Sequence, residues 1–193
     1  NLQCSGYYFL VMTTFIYIKS DFLFFNDFQI LEVLYLYLLI FILFNFFNKS
    51  YLGDGGSYLL SFIAGYMAVK IQAITAISPY FIVLVLWYPA FENFFSIIRK
   101  AKSLNLSPDQ PDLLHLHHLL FKFLNKKLIL SKNISSSLPS IIINIFNGII
   151  FFVGSNFLYS SIIQVILIFI CIITYISLYF ILLRAVKLKT HNL

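Results

Sequence analysis

Charge is what this chain has least of. Seven of its 193 residues are acidic, and charged residues of both signs make up only 10%. A soluble domain carries about 25%. A chain this poor in charge cannot cover a water-facing surface, which excludes an ordinary soluble fold. Cysteine is almost missing as well: Cys4 and Cys171, each inside an apolar segment, exclude a disulfide framework and a cysteine-ligated metal site. Both read as small buried hydrophobes. No Met and no basic region precede the first apolar run, so signal-peptide logic does not apply. The expectation is a chain cut from something longer.

Apolar sequence is there in long runs, and hydrophobic residues total 61%. Residues 2–18 are uncharged up to Lys19. A second run covers 30–47, a third starts at Tyr58 and meets Lys70, and a fourth covers roughly 74–95. Trp87 and Tyr88 fall where an aromatic belt would sit. From Arg99 to Lys132 the chain is polar or mixed. No charge then appears from Asn133 to Leu183, enough for two spans separated by Gly154, Ser155 and Asn156. These runs exceed the ~9–11 residues of a barrel strand and do not alternate, so they predict helices. The expected fold is an all-α polytopic membrane protein with about six transmembrane helices.

The net charge of +6 raises nucleic acid or anionic lipid as a partner, but position matters more than the sum. With the segment around Asp54 on the cytoplasmic side, eleven of the thirteen Lys and Arg residues fall inside, and only Lys19 and Lys70 outside. The positive-inside rule then predicts a multi-pass protein of the inner (plasma) membrane, with no nucleic-acid partner. It also puts a histidine-containing loop on the same cytoplasmic face as Asp54.

Three stretches carry residues suited to chemistry. In "YLGDGGS", residues 51–57, Gly53, Gly55 and Gly56 permit positive φ and close backbone approach to a ligand. Backbone N–H groups there, and a helix beginning near Ser57, would favour phosphate oxygens. Asp54 would repel a bare phosphate unless a hard cation such as Mg²⁺ lies between them. The plain alternative is a tight hairpin with Asp54 solvated. In "PDLLHLHHLLFKF", residues 111–123, three histidines lie within four positions. His115 and His118 share a face of a helix, and His115 and His117 a face of an extended segment. Phosphate binding suits them better than zinc, which lacks further ligands at a usual spacing. An interfacial amphipathic segment is the alternative. In "WYPAFENFFSIIRKAKS", Glu92 and Arg99 lie seven residues apart on one helical face. A carboxylate in an apolar run marks a functional position by default, or pairs with a lysine; Arg99 is otherwise a basic flank.

These stretches, in this order, resemble the polyprenyl-phosphate N-acetylhexosamine-1-phosphate transferase family. That family makes the first lipid intermediates of peptidoglycan, of lipopolysaccharide antigens and of teichoic-acid linkage units. "YLGDGGS" matches its F-x-G-D-x-G-S motif with Tyr51 for Phe, and "DLLHLHH" matches its D-x-x-H-x-H-H motif from Asp112 to His118. The resemblance implies that Asp54 binds Mg²⁺ and that Tyr51 stacks on the donor's uracil. It implies that His115, His117 and His118 line the site near the donor phosphates. Asn45 is the nearest match to an Asn near the nucleotide, behind a spacer, "FFNKS", that is one residue short and has no proline. Gly53, Ser57 and Arg99 complete the expected substrate contacts.

The sequence also departs from the family. None of its acids are adjacent, whereas the family has an Asp-Asp pair, and six spans stand against the usual ten or eleven. Residues 1–193 therefore read as the C-terminal part of a single transmembrane transferase domain, with the N-terminal half missing. The implied reaction moves a sugar-1-phosphate from UDP-N-acetylhexosamine to undecaprenyl or another polyprenyl phosphate and releases UMP. A homodimer is left open, and the chain alone is expected to be incomplete. The rivals are a non-enzymatic membrane protein whose histidines bind lipid head groups or a partner, and a zinc metalloprotein.

Overall fold

The computed structural model of the chain describes residues 28–46, 49–102, 114–127 and 132–187. The described residues are helical with short connections and form no strand. In order, the helices are α1 (Phe28–Phe46), α2 (Gly53–Ile74), α3 (Pro79–Lys102), α4 (Leu116–Lys127), α5 (Lys132–Ser155) and α6 (Ser161–Lys187). Among the described residues three helical segments are long and apolar enough to cross a membrane: Pro79–Ala101, Ser137–Ser155 and Ser161–Val186. Six spans were expected and three are shown. The apolar segment found in α1, Leu36–Asn45, is shorter, and the expected span at 2–18 lies outside the described residues.

Helix punctuation explains the boundaries. After Lys70 no charge marks where the third run ends and the fourth begins, but the chain breaks at Thr75–Ser78, where Thr75 is extended. Pro79 then opens α3, because its fixed φ and missing N–H suit a first helical position. This connection docks on the one between α5 and α6: Ser78 N–H donates to the Leu158 carbonyl at 2.9 Å, and the Ser78 and Ser161 hydroxyls lie 2.8 Å apart. Gln164 closes the same end, its Nε2 donating to the Gly154 and Phe157 carbonyls at 2.8 and 2.9 Å. Carbonyls at and just beyond the end of α5 thus find partners inside the protein, as lipid surroundings require.

The core lies among α3, α4, α5 and α6 and is centred on Leu84, Leu119, Phe151 and Cys171, all fully buried. Association of helices in lipid depends on close packing and internal hydrogen bonds rather than on hydrophobicity. Both occur here. Gly154 lets α5 approach α3 and α6 so closely that an added Cβ would lie 2.6 Å from Leu84 Cδ2. Trp87 Nε1 donates to Asn147 Oδ1 at 2.9 Å, and both residues are buried. Trp87 and Tyr88 are thus core residues, 4% and 6% exposed, and not the interfacial belt expected of them. An indole with a buried acceptor within reach needs no water.

Beside the Thr75–Ser78 connection an open apolar cleft of about 630 Å³ is lined by Gly65, Ala68 and Val69 of α2 and by Pro79, Ile82 and Leu86 of α3.

Candidate functional site

The histidine segment was expected in a loop, and the structure makes most of it a packed helix. α4 turns Leu116, Leu119 and Leu120 into the core and leaves Lys122 and Asn125 exposed, a one-sided apolar pattern that binds it to α5 and α6. His115 immediately precedes α4, and its carbonyl accepts the N–H groups of His118 and Leu119 at 3.0 and 3.1 Å. His117 and His118 occupy the first turn.

Glu92 organises the head of this helix. α3 carries it about 20 Å along the axis from Pro79, at 1.5 Å per residue. Its Oε1 lies 2.9 Å from His115 Nδ1 and accepts the Leu116 N–H at 3.0 Å; its Oε2 accepts the Tyr175 hydroxyl at 2.8 Å. A carboxylate buried at 7% exposure is costly without partners, and this one has three. It also caps α4 from another helix, meeting one of the N–H groups that a helix start leaves unpaired and opposing the positive end of the dipole. Phe91 and Phe95 wall the site, 5.1 and 5.5 Å from the Tyr175 ring and edge-on to it.

Arg99 lies two turns along the same face, as the spacing predicts. Its Nη1 donates to the Leu114 carbonyl at 2.9 Å and to the Tyr179 hydroxyl at 3.0 Å, and the guanidinium sits 5.6 Å over the Tyr179 ring. Glu92 and Arg99 thus hold residues 114–116 from both sides. Tyr175 and Tyr179, one turn apart on α6, complete the clamp. Sequence reasoning missed both tyrosines because they sit in an uninterrupted apolar run. The available signal was a pair of phenols at i and i+4 in a span, which share one face and need polar partners.

The three imidazoles form a compact group. Ring centroids lie 4.4 Å apart for His117 and His118, 5.5 Å for His115 and His117, and 6.2 Å for His115 and His118. So His115 meets both partners, although a helix or a strand alone would have given it one. Burial, with a smaller push from His118, lowers the His117 pKa to about 3. Burial also lowers that of His118. Both rings are therefore neutral at pH 7. His117 Nε2 is buried with no hydrogen-bond partner.

The glycine-rich segment differs from its expectation. α2 begins at Gly53 rather than near Ser57, so Asp54 stands in the first turn of a helix. Gly53 has φ +68°, a conformation that needs glycine. An added Cβ at Gly53 or Gly55 would meet nothing within 4 Å, whereas one at Gly56 would strike Leu52 at 2.9 Å. Ser57 turns its hydroxyl back to the Asp54 carbonyl at 2.9 Å. Tyr51 and Asp54 are exposed. Asn45 is 1% exposed, and its Nδ2 donates to the Ser50 carbonyl at 2.7 Å, tying the end of α1 to the approach to α2. Asp112, the first residue of the D-x-x-H-x-H-H match, lies outside the described residues.

Among the described residues no three His, Cys, Asp or Glu side chains are placed to hold a metal ion. The zinc alternative has no ligand set there. Mg²⁺ differs, because it takes one or two carboxylates and draws its remaining ligands from water and phosphate. Exposed Asp54, beside backbone open to approach at Gly53 and Gly55, fits that kind of site and not a closed protein cage. The chain matches no protein-family model, and no curated protein or solved structure is similar to it.

Proposed function

We propose that the chain forms part of a membrane transferase that moves N-acetylhexosamine-1-phosphate from a UDP-sugar to a polyprenyl phosphate. An oxygen of the lipid phosphate bonds to the β-phosphorus, the bond from that phosphorus to the bridging oxygen breaks, and UMP leaves with the electron pair. The product initiates a cell-wall or surface polysaccharide. One observation carries the reading: a glycine-flanked aspartate and a D-x-x-H-x-H-H segment occur in the family's order in one membrane chain. The geometry supports it in a second way. Asp54 occupies the head of a helix, where N–H groups and the dipole favour phosphate, and the three histidine rings lie together in one compact group.

In this reading the chain crosses the inner membrane six times with Asp54 and the histidines at the cytoplasmic face, where UDP-sugars are found. Tyr51 offers an exposed ring to uracil, and Gly53 and Ser57 frame the phosphates. Asp54 holds Mg²⁺, which neutralises charge on the transferring phosphoryl group. Neutral His117 and His118 act as hydrogen-bonding groups rather than fixed cations. Arg99 serves substrate binding by holding the histidine segment, and Asn45 by shaping the approach to α2. The paired carboxylates implied by the resemblance are not in this sequence, so these residues supply one part of the site.

The test is UMP release by the full-length gene product given UDP-N-acetylhexosamine, undecaprenyl phosphate and Mg²⁺. Asp54→Asn should abolish the Mg²⁺-dependent turnover while the protein stays in the membrane, since loss of a charge-neutralising ligand costs several kcal/mol. A variant keeping more than about a tenth of wild-type turnover would refute the metal role. No UMP from the wild type would favour a non-enzymatic protein whose histidines bind head groups.

A further inference from the structure

The arrangement around Glu92 does more than anchor a helix. Its Oε1 accepts the Leu116 N–H and its Oε2 accepts the Tyr175 hydroxyl, so both oxygens present lone pairs. His115 Nδ1 faces Oε1 at 2.9 Å. A ring nitrogen facing an acceptor carries the proton, which leaves Nε2 as the basic nitrogen of the neutral ring. A carboxylate behind the imidazole also stabilises the imidazolium that forms when Nε2 takes a proton.

We propose that Glu92, itself oriented by Tyr175, is a positioning residue that fixes His115 as the Nδ1–H tautomer, and that His115 Nε2 is the proton acceptor for the phosphate acceptor. The catalytic half of this statement rests on the transferase reading; the tautomer half does not. In the transfer, the proton of the lipid phosphate monoanion moves to His115 Nε2 as the phosphate oxygen bonds to the β-phosphorus and UMP departs. No other reactant is needed. The imidazolium stays paired with Glu92 until the proton returns to solvent.

The charged and titratable groups around His115 come from each neighbouring helix. α3 brings Glu92 and Arg99, α4 brings His117, His118 and Lys122, and α6 brings Tyr175 and Tyr179. Among the described side chains of α5 none titrates. Glu92 is the one anion in this set among the described residues.

The experiment combines ¹⁵N NMR of the histidine rings in the detergent-solubilised full-length protein with turnover measurements. Wild type should show His115 as the Nδ1–H tautomer. Glu92→Leu removes the acceptor, and Nε2–H should become the major tautomer. Turnover in Glu92→Leu should fall at least about a hundredfold, mainly in kcat. Tyr175→Phe keeps the ring and removes one hydrogen bond to the carboxylate; it should cost roughly tenfold and keep the wild-type tautomer. An Nε2–H tautomer in wild type, or the same tautomer in wild type and Glu92→Leu, overturns the positioning role. The expected tautomers without UMP release by wild type would overturn the transferase reading and leave the positioning intact. Wild-type turnover in Glu92→Leu, with the tautomer changed, would overturn His115 as proton acceptor. If Glu92→Leu fails to fold, the wild-type tautomer and the Tyr175→Phe turnover still decide.

Discussion

Arg99 has the charge of a phosphate ligand but is engaged with the protein itself, through the Leu114 carbonyl and the Tyr179 hydroxyl. Arg99→Met keeps the aliphatic stem and removes both donations, at a cost of about 1–3 kcal/mol. The expected result is faster hydrogen exchange at the Leu116 and Leu119 amides with a fall in kcat. Unchanged exchange with a raised KM would instead make Arg99 a direct substrate contact. His117 gives a second residue-scale result. Its folded pKa is about 3, whereas a free imidazole titrates near 6.5. Between those values the unfolded chain binds more protons, so stability is complete above about pH 6.5 and falls as pH drops, by at most about 1.4 kcal/mol per pH unit. Melting in detergent should show a lower Tm at pH 5 than at pH 7.5, and His117→Gln should flatten that slope. A Tm that rises toward pH 5 would contradict the burial of a neutral ring.

The glycines separate two kinds of helix in one bundle. Gly154 sits where α5 meets α3 and α6, and an alanine Cβ there would lie 2.6 Å from Leu84 Cδ2 and 3.2 Å from Gln164 Oε1. Gly154→Ala should destabilise by about 1–3 kcal/mol, the usual cost of overpacking a close-packed interior. Gly65, in α2, has nothing within 4 Å of an added Cβ, so Gly65→Ala should be neutral or slightly stabilising in the same Tm measurement. Equal losses at both positions would mean that α2 packs as tightly as α5. Element boundaries were only partly legible in sequence. Pro79 marked the start of α3, yet the uncharged passage from Ile74 to Ser78 concealed the break. The head of α2 was placed too late because glycines read as a turn, although one at positive φ can lead directly into a helix. For α4, three histidines disguised a leucine stripe at positions 116, 119 and 120.

At the scale of the whole molecule, the connections Thr75–Ser78 and Asn156–Ser160 meet at one end, and the head of α4 lies toward the other, beside Glu92. The proposed six-span topology would put the first end on the outside. In a background lacking Cys4 and Cys171, single cysteines at Ala76 and Asn156 should therefore label from outside in intact cells. A cysteine at Asn125 should label only after permeabilisation. External labelling at Asn125 would invert the topology and separate the histidines from cytoplasmic UDP-sugar.

Composition and run length by themselves determined that this is a helical membrane protein, because in lipid each backbone polar group must find its partner within its own helix. Spacing alone put Glu92 and Arg99 on one face, because 3.6 residues per turn is a local property. The sequence also offered Asp54 and the three histidines as candidates by residue type and order. Only the tertiary structure decided what Glu92 holds: His115, 23 residues away, and Tyr175, 83 residues away on α6. No local pattern encodes such a pairing. It depends on how helices stack, and the stacking is set by close contacts such as that of Gly154 with Leu84, whose cost or benefit exists only once both surfaces are in place.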